Sequence, residues 1–393
     1  MNATAELDPH QIATDGEIAA INLESARRGA WARFAQDPRL PGVAEAVVDK
    51  EHLAAQFLGD LDALDRLDTL AAQFARVDCS FRAAIVETEV ASAAHRFSDA
   101  RGHLARAAQL GAASEMVERL LLTIDQACGI DLEAVLAARR RIGTSGRLED
   151  LVPLGAVLAD LERFAEADTV YRQALSSYED VSPFPLAWVS FQLGMLWGEL
   201  VAAPDPNLAA LWYRRAITYL PNYVKARVHL AEIYASRDQT REAEALLLPA
   251  LLSRDPEVRW RLADVLMAQK RFDEAGTQLD AARIGFDELV DKHLFAFADH
   301  AAEFYAGSGN DCRRALELAR RNVANRPTRR AVKQAHAIAT IADKAAIASE
   351  GSEAASRPAA VDGRELPGGG RGRDGTRHAL RGERHEVAFR DCL

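Results

Sequence analysis

One arrangement of apolar and small residues occurs three times along the chain, in segments that start at residues 95, 162 and 270. The segments read HRFSDARGHLARAA, ERFAEADTVYRQAL and KRFDEAGTQLDAA. Steps of three, four and three residues place Phe164, Ala167, Tyr171 and Ala174 on one face of an α-helix. The pattern therefore predicts three similar amphipathic helices, each with small residues where a second helix can approach closely.

Each of these helices follows another amphipathic stretch, so that the unit is a helix pair. Leu154-Gly155 precedes the second copy and Leu262-Ala263 precedes the third, and the tight polar turns ADLER and AQKR join the two helices of each pair. Weaker copies of the second helix lie between the strong ones: LAALWYRRAITYLP at 208–221, REAEALLLPALLSRDP at 241–256 and CRRALELARRNVANRP at 312–327. HLAAQFLGDLDALDRLDTLAAQFA, within 46–79, reads as a hairpin that turns at Gly59-Asp60.

Helix pairs of about 34 residues with these features resemble the tetratricopeptide repeat (TPR). LGMLW (193–197) with AALWYRRAITYLP (209–221) is the best match, and the resemblance covers 81–113 and 148–328 but is weak over 46–79 and 114–147. It implies an all-α fold, a right-handed superhelical solenoid of stacked antiparallel helix pairs with six or seven units. It also implies a protein-interaction scaffold, because this family mostly provides such surfaces.

The same patterns divide the chain into three parts. We predict an N-terminal helical segment over 1–45, a TPR-like helical repeat domain over 46–345 and a disordered Gly/Arg-rich tail over 346–393. The tail has almost no apolar periodicity, so it cannot bury enough surface to offset the entropy lost on ordering. Its acidic residues nearly balance its arginines, which favours a solvated tail over an RNA-binding one.

Composition and charge limit the classes of protein and the cellular compartment that fit this chain. The net charge of −10 and the pI near 5.6 argue against a general nucleic-acid binder. The N-terminus lacks the pattern of a signal peptide, and no apolar run approaches the roughly 20 residues of a membrane span. We therefore expect a cytoplasmic protein with no membrane association. The four cysteines are widely spaced and are expected to be free thiols: Cys79, Cys128, Cys312 and Cys392.

No motif for catalysis or metal binding is present. The chain lacks a phosphate-binding loop, a G-x-S-x-G elbow and an H-E-x-x-H helix. His293 and His300 are seven residues apart on one predicted helix, but a metal site needs a third ligand. Four acids that suggest a calcium loop are better explained as the solvated face of a helix: Asp60, Asp62, Asp65 and Asp68. We expect no enzyme, no cofactor and no metal, although a catalytic site spread across a groove remains a third alternative.

The first helices of stacked pairs line a concave surface that suits an extended peptide or a partner's helix. Helical spacing places seven residues on this predicted groove: Trp188, Phe191, Lys225, His229, Glu232, Trp260 and Asp264. Aromatic rings beside single charges resemble an interface hot spot. The alternative is that the rings fill gaps between adjacent repeats. The Lys/Asn clamp with which some TPRs hold a terminal carboxylate is absent from the matching positions.

The sequence therefore predicts a scaffold or adaptor that binds a peptide or partner protein in the groove. The alternative is a regulator whose repeats sense a peptide or ligand and transmit a conformational change to an effector. A basic cluster is interpreted as a solvated outer face, with an acidic partner or RNA as the alternatives: Arg313, Arg314, Arg320, Arg321, Arg326, Arg329, Arg330 and Lys333.

Overall fold

The computed structural model describes residues 13–356, with side chains up to residue 344, and this part of the chain contains helices and no strand. The first nine helices are α1 (Gly16–Gln36), α2 (Val43–Leu58), α3 (Ala63–Val77), α4 (Phe81–Ala93), α5 (Phe97–Gln109), α6 (Ser114–Ala127), α7 (Leu132–Gly143), α8 (Leu148–Asp160) and α9 (Phe164–Ser176). The others are α10 (Pro183–Met195), α11 (Pro206–Tyr219), α12 (Val224–Ser236), α13 (Thr240–Leu247), α14 (Pro256–Ala268), α15 (Phe272–Ala306), α16 (Cys312–Asn325) and α17 (Arg329–Ser356).

Consecutive helices pack as antiparallel pairs, which confirms the predicted all-α solenoid of TPR-like units. The long helix α15 serves two pairs, because His293 has non-helical backbone angles (φ −134°, ψ 54°) and divides it. Its first part pairs with α14, and its second part pairs with α16. The divergent stretches 46–79 and 114–147 also form helix pairs, so residues 43–325 contain eight pairs in all.

The small residues of the repeated pattern lie where the helices cross. Ala100, Ala167 and Ala275 have no exposed surface, and the same holds for the second alanine of each copy. An alanine at this position lets two backbones approach, and the larger ring or Leu beside it fills the remaining space. The first aromatic residue is less uniform, since Phe97 is buried whereas Phe272 is 59% exposed.

The turn between the two helices of a pair has the same backbone conformation in four of the pairs. His95, Glu162, Asp238 and Lys270 each adopt a left-handed conformation, with φ between 54° and 64°. The residue after each of them donates its N–H to the carbonyl five residues back, at 2.8–3.0 Å. This is the hydrogen bond of a Schellman cap, which ends a helix sharply. The tight turns predicted from ADLER and AQKR therefore have a common geometry.

Glycine in a first helix allows a tyrosine of the second helix to pack against the backbone. A Cβ atom on Gly194 would lie 2.4 Å from Cε1 of Tyr213, and one on Gly155 would lie 2.6 Å from Cε1 of Tyr171. Both tyrosines are almost completely buried. The Leu-Gly element of the repeat thus has a steric cause.

A buried carboxylate joins the first three helices. Glu51 of α2 has no exposed surface and accepts hydrogen bonds from Arg66 of α3 (2.8 Å) and from Trp31 of α1 (2.6 Å). Arg27 of α1 lies 3.4 Å from the same carboxylate and donates to Asp60 at 2.6 Å. Because a buried carboxylate is costly without such partners, these bonds hold α1 against the first helix pair.

The N-terminal helices fold back onto later repeats. The ring of Phe57 in α2 lies 5.2 Å from Phe184 of α10 and 4.8 Å from Tyr223, centroid to centroid. The backbone of Gly16 in α1 approaches the carbonyl of Tyr219 so closely that a Cβ would lie 2.3 Å from it. The solenoid is therefore closed along part of its length by its own first helices.

A second set of contacts closes the chain between α3 and α15. Asp65 accepts hydrogen bonds from Lys292 (2.6 Å) and from Nε2 of His293 (2.8 Å). His95, in the turn between α4 and α5, donates from Nδ1 to the carbonyl of Phe295 at 3.2 Å. We call these five residues the closing seam.

The predicted domain boundaries do not coincide with helix ends. The segment 1–45 contains α1 and the start of α2, and α17 continues to Ser356, so residues 346–356 of the predicted tail are helical. Residues 1–12 and 357–393, which include most of that tail, lie outside the described residues. Cys79, Cys128 and Cys312 form no disulfide. In the described part of the chain, every helix is too short or too polar to cross a bilayer.

The steric role of glycine predicts that Gly194→Ala destabilises the fold by about 1–3 kcal/mol, because the new methyl group overpacks Tyr213. Gly102→Ala is the matched control, since a Cβ at this position of α5 meets nothing within 4 Å. It should raise stability by about 0.5–1 kcal/mol. Chemical denaturation of both variants measures the difference, and an equal response would show that the glycine–tyrosine contact is unimportant.

Candidate functional site

Charged residues from successive first helices contact one another. Glu199 lies in a π-helical turn, Leu196–Leu200, that extends α10, and its carboxylate accepts a hydrogen bond from Nδ1 of His229 in α12 at 2.6 Å. Arg330 of α17 lies 3.8 Å from the same carboxylate. Both Glu199 and His229 are largely buried. This ion-paired group therefore ties three helices that are distant in sequence.

A second group centres on Arg261 of α14. Its guanidinium lies 2.6 Å from the carboxylate of Glu232 in α12 and 3.6 Å from that of Glu257 in its own helix. The same guanidinium stacks over the ring of Trp260, 3.5 Å from the centroid. Glu257 is also 3.5 Å from Nδ1 of His300 in the second part of α15. The two groups together form what we call the first-helix network.

Burial and neighbouring charges compete at the centre of this network. Burial alone would lower the pKa of His300, but Asp299 and Glu257 raise it to about 9. Burial alone would raise the pKa of Glu257, but His300 and Arg261 lower it to about 2. The pair is therefore ionised at neutral pH. Glu303 differs, because burial raises its pKa to about 8 despite a hydrogen bond from Gln334 at 3.1 Å.

A small cavity lies between this network and the N-terminal repeats. Its volume of about 20 Å³ is enough for one water molecule. Lys225, Asp255 and His300 line it on one side, and Leu61 and His95 line it on the other. The cavity is thus a gap, lined by both apolar and charged side chains, in the contact between the N-terminal repeats and helices α12, α14 and α15.

Three of the predicted groove residues are buried within the chain. Phe191 is 2% exposed, and its ring packs against Tyr213 and Tyr223. Trp260 is 4% exposed and donates from Nε1 to Ser308 at 3.0 Å, while His229 binds Glu199. For the two rings, these contacts match the alternative in which aromatics fill gaps between repeats.

The other four predicted groove residues are partly exposed. Trp188 packs at the edge of two apolar clusters, and Lys225 borders the cavity. Glu232 pairs with Arg261, and Asp264 accepts a hydrogen bond from Ser308 at 2.6 Å. The structure brings these side chains to successive first helices, α10, α12 and α14. Their role in partner binding stays a prediction.

Several network residues were not identified from the sequence. Glu257 and Arg261 are four residues apart on one helix face, which is a visible signal for an ion pair. Glu199 gave no such signal, because the spacing of apolar residues does not predict the π-helical turn that positions it. Arg330 appeared only within the basic cluster.

That basic cluster does not form one surface. Arg314 pairs with Asp287 at 2.6 Å, Arg326 is buried and binds Asp299, and Arg330 approaches Glu199. Arg313 and Arg320 are exposed. Within the part of the chain that the structure describes, the cluster is therefore divided between internal ion pairs and the outer face of α16.

The other candidate ligands also have separate partners. His293 binds Asp65, whereas His300 lies next to Glu257 on the other side of the break in α15. The four partly exposed acids near the start of α3 pair with different basic residues: Asp60 with Arg27 and Arg66, Asp62 with Arg254, Asp65 with Lys292 and His293, and Asp68 with Arg96. Among the described residues, no three His, Cys, Asp or Glu side chains are arranged to hold a metal ion.

No family model and no curated protein matches the chain. Solved structures that resemble it include the C-terminal part of a TPR repeat-containing protein from Cytophaga hutchinsonii, at 12% identity and a TM-score of 0.31, over 74% of this chain and 97% of that one. A human IFIT1 dimer with m7Gppp-AAAA matches at 14% identity and a TM-score of 0.37, over 80% and 74%. Yeast Tom70 matches at 13% and 0.31, over 78% and 76%.

The ionisation states predict that stability falls as the pH rises. The pKa of His300 is raised in the folded state, so its contribution is complete below about pH 6.5 and is lost as the pH rises through about 9. The raised pKa of Glu303 acts in the same direction between about pH 4.5 and 8. The midpoint of thermal unfolding should therefore decrease between pH 6.5 and pH 9.

His300→Gln should cost about 1–3 kcal/mol at pH 6.5 and should flatten this decrease, because Glu257 loses a charged partner. His336→Gln, at an exposed position of α17, is the control and should change neither quantity. Parallel pH profiles for the wild type and His300→Gln would contradict the assignment.

Proposed function

We propose that the chain is a cytoplasmic scaffold that binds a peptide or a segment of a partner protein along the inner face of its first helices, without catalysing a reaction. The observation that supports this proposal is the placement of four partly exposed residues on consecutive first helices. They are Trp188 on α10, Lys225 and Glu232 on α12, and Asp264 on α14. Stacked helix pairs present such residues in a row that an extended ligand can follow.

The chemistry of this row favours a protein over a nucleic acid. A half-buried indole supplies apolar contact area, and the row also carries charges of both signs. Glu232 and Asp264 would repel phosphates, and the net charge of the chain is −10. A partner segment with mixed charges and an apolar anchor fits this face best.

A partner-capture experiment tests the proposal. Trp188→Ala combined with Lys225→Ala should reduce recovery of a specific partner at least tenfold, because an aromatic anchor and a charge of the same row are removed together. Phe272→Ala is the matched control, since it removes a ring that is 59% exposed on a second helix. Recovered proteins are identified by mass spectrometry, and circular dichroism verifies that both variants are folded. Equal recovery by both variants would refute the assignment of this face.

The second candidate is a sensor that passes a ligand-induced change along the repeats to an effector. The closing seam favours it, because Asp65 and His95 connect the N-terminal pairs to α15, 200 or more residues later in the chain. A conformational change in the N-terminal pairs would therefore reach α15 through direct hydrogen bonds.

Thermal unfolding in the presence of peptide pools distinguishes the two candidates. A sensor should show a higher unfolding midpoint with a short peptide, because ligand binding to the native state stabilises it. It should also show a changed radius of gyration in the same mixture. A raised midpoint without a change in the radius of gyration supports the plain scaffold.

A further inference from the structure

Arg139 of α7 is a buried cation that forms no ion pair with a carboxylate among the described residues. It is 5% exposed. Its Nη2 atom donates to Oγ1 of Thr123 in α6 at 2.9 Å, whereas its Nε atom is buried and has no hydrogen-bond partner in the described part of the chain. Buried charges are usually paired, because an unpaired charge loses its hydration without compensation. The protein itself therefore leaves this guanidinium incompletely satisfied.

The carboxylate whose charge acts on Arg139, Asp150 of α8, is occupied by two other arginines. Arg119 of α6 donates to Asp150 and, at 3.3 Å, to Glu115. Arg147 lies 3.1 Å from Asp150 and 3.4 Å from Glu149. These two arginines thus share Asp150, and each has a glutamate of its own. Arg139 has neither kind of partner.

The charge on Arg139 persists despite its surroundings. Burial and the nearby charge of Arg119 both lower the pKa of Arg139, and Asp150 opposes them. Arginine nonetheless stays protonated in proteins at neutral pH. A water molecule would accept a hydrogen bond from the guanidinium but would leave its charge uncompensated. An oxyanion supplies both, because two oxygens of one carboxylate or phosphate match the planar guanidinium.

The end of the guanidinium has a fixed orientation and lies near the surface. Thr123 donates its hydroxyl hydrogen to the carbonyl of Arg119 at 3.1 Å, so its oxygen accepts the hydrogen bond from Nη2 of Arg139. Thr123 is exposed. The guanidinium therefore reaches from the interior of the α6–α7 pair to a residue that solvent contacts, where an anion can approach its Nη atoms.

We propose that Arg139 and Thr123 form an oxyanion-binding site between α6 and α7, which takes a carboxylate or a phosphate group. Arg139 supplies the charge and the N–H donors, Thr123 orients the guanidinium, and the charge of Arg119 adds to the attraction. The site goes beyond the function proposed above, because the partner-binding row lies on α10, α12 and α14.

Calorimetric titration of the full-length chain at neutral pH and constant ionic strength tests this proposal. Inorganic phosphate and acetate are titrated separately, and at least one of them should bind saturably. Binding of phosphate alone identifies a phosphate site, and binding of acetate as well identifies a site that also takes carboxylates. Arg139→Gln should weaken each such interaction about tenfold or more, because the hydrogen bonds to a charged donor are lost.

Two further variants separate binding from folding. Arg140→Gln is the matched control, since Arg140 is the next residue, is exposed and pairs with Glu166 at 3.0 Å. It should bind the anion as the wild type does. Thr123→Val keeps the charge of Arg139 but removes the hydroxyl that orients it, so the affinity should fall by a smaller factor. Because Thr123 is exposed, this variant should fold even if Arg139→Gln does not.

Thermal unfolding in the same buffers gives an independent measurement. The bound anion should raise the unfolding midpoint of the wild type and of Arg140→Gln, but not that of Arg139→Gln, because ligand binding to the native state stabilises it. Three results would overturn the proposal: no saturable binding of either anion to the wild type, equal binding by the wild type and Arg139→Gln, or an unchanged affinity in Thr123→Val. The second would show an adventitious ion only.

Discussion

The close crossing of two helices at small residues is the constraint on which the rest of the structure depends. Ala167 and Gly194 allow neighbouring backbones to approach, and buried tyrosines then fill the space beside them. Where a pair has this crossing, the register of its two helices is fixed, and the first helices of neighbouring pairs lie side by side. The ion pairs of the first-helix network are a consequence of this register, not its cause.

Much of the fold was predictable, because the helix crossing depends on residues that are only three or four positions apart in the sequence. The aromatic, leucine and alanine residues at three-, four- and three-residue steps predicted the second helices, and Gly59 predicted the turn of the first hairpin, where it adopts a φ of 64°. The solenoid's closure was not predictable in the same way. Asp65 and His293 are far apart in sequence, and each has a satisfactory local interpretation, as a solvated acid or as a helix histidine.

In the candidate site, too, local spacing predicted some features, whereas contacts between distant residues were not predictable. Helical period alone predicts that Trp188 and Lys225 face the groove, and both are partly exposed. The burial of Phe191 and Trp260 depends on which later helix packs against them, which a single helix pattern does not contain. Contacts between repeats, rather than within them, decide which of the predicted groove residues remain exposed.

The π-helical turn at Leu196–Leu200 changes the direction in which the side chains at the end of α10 point around the helix axis. A wider turn accommodates one more residue than an α-helical turn would, and it directs Glu199 toward His229. Removing that residue would rotate the following side chains by about 100°, the angle per residue of an α-helix, without altering the apolar contacts of α10 upstream. Charge pairing across the repeats can therefore be reset by one inserted or deleted codon while the scaffold itself keeps its packing.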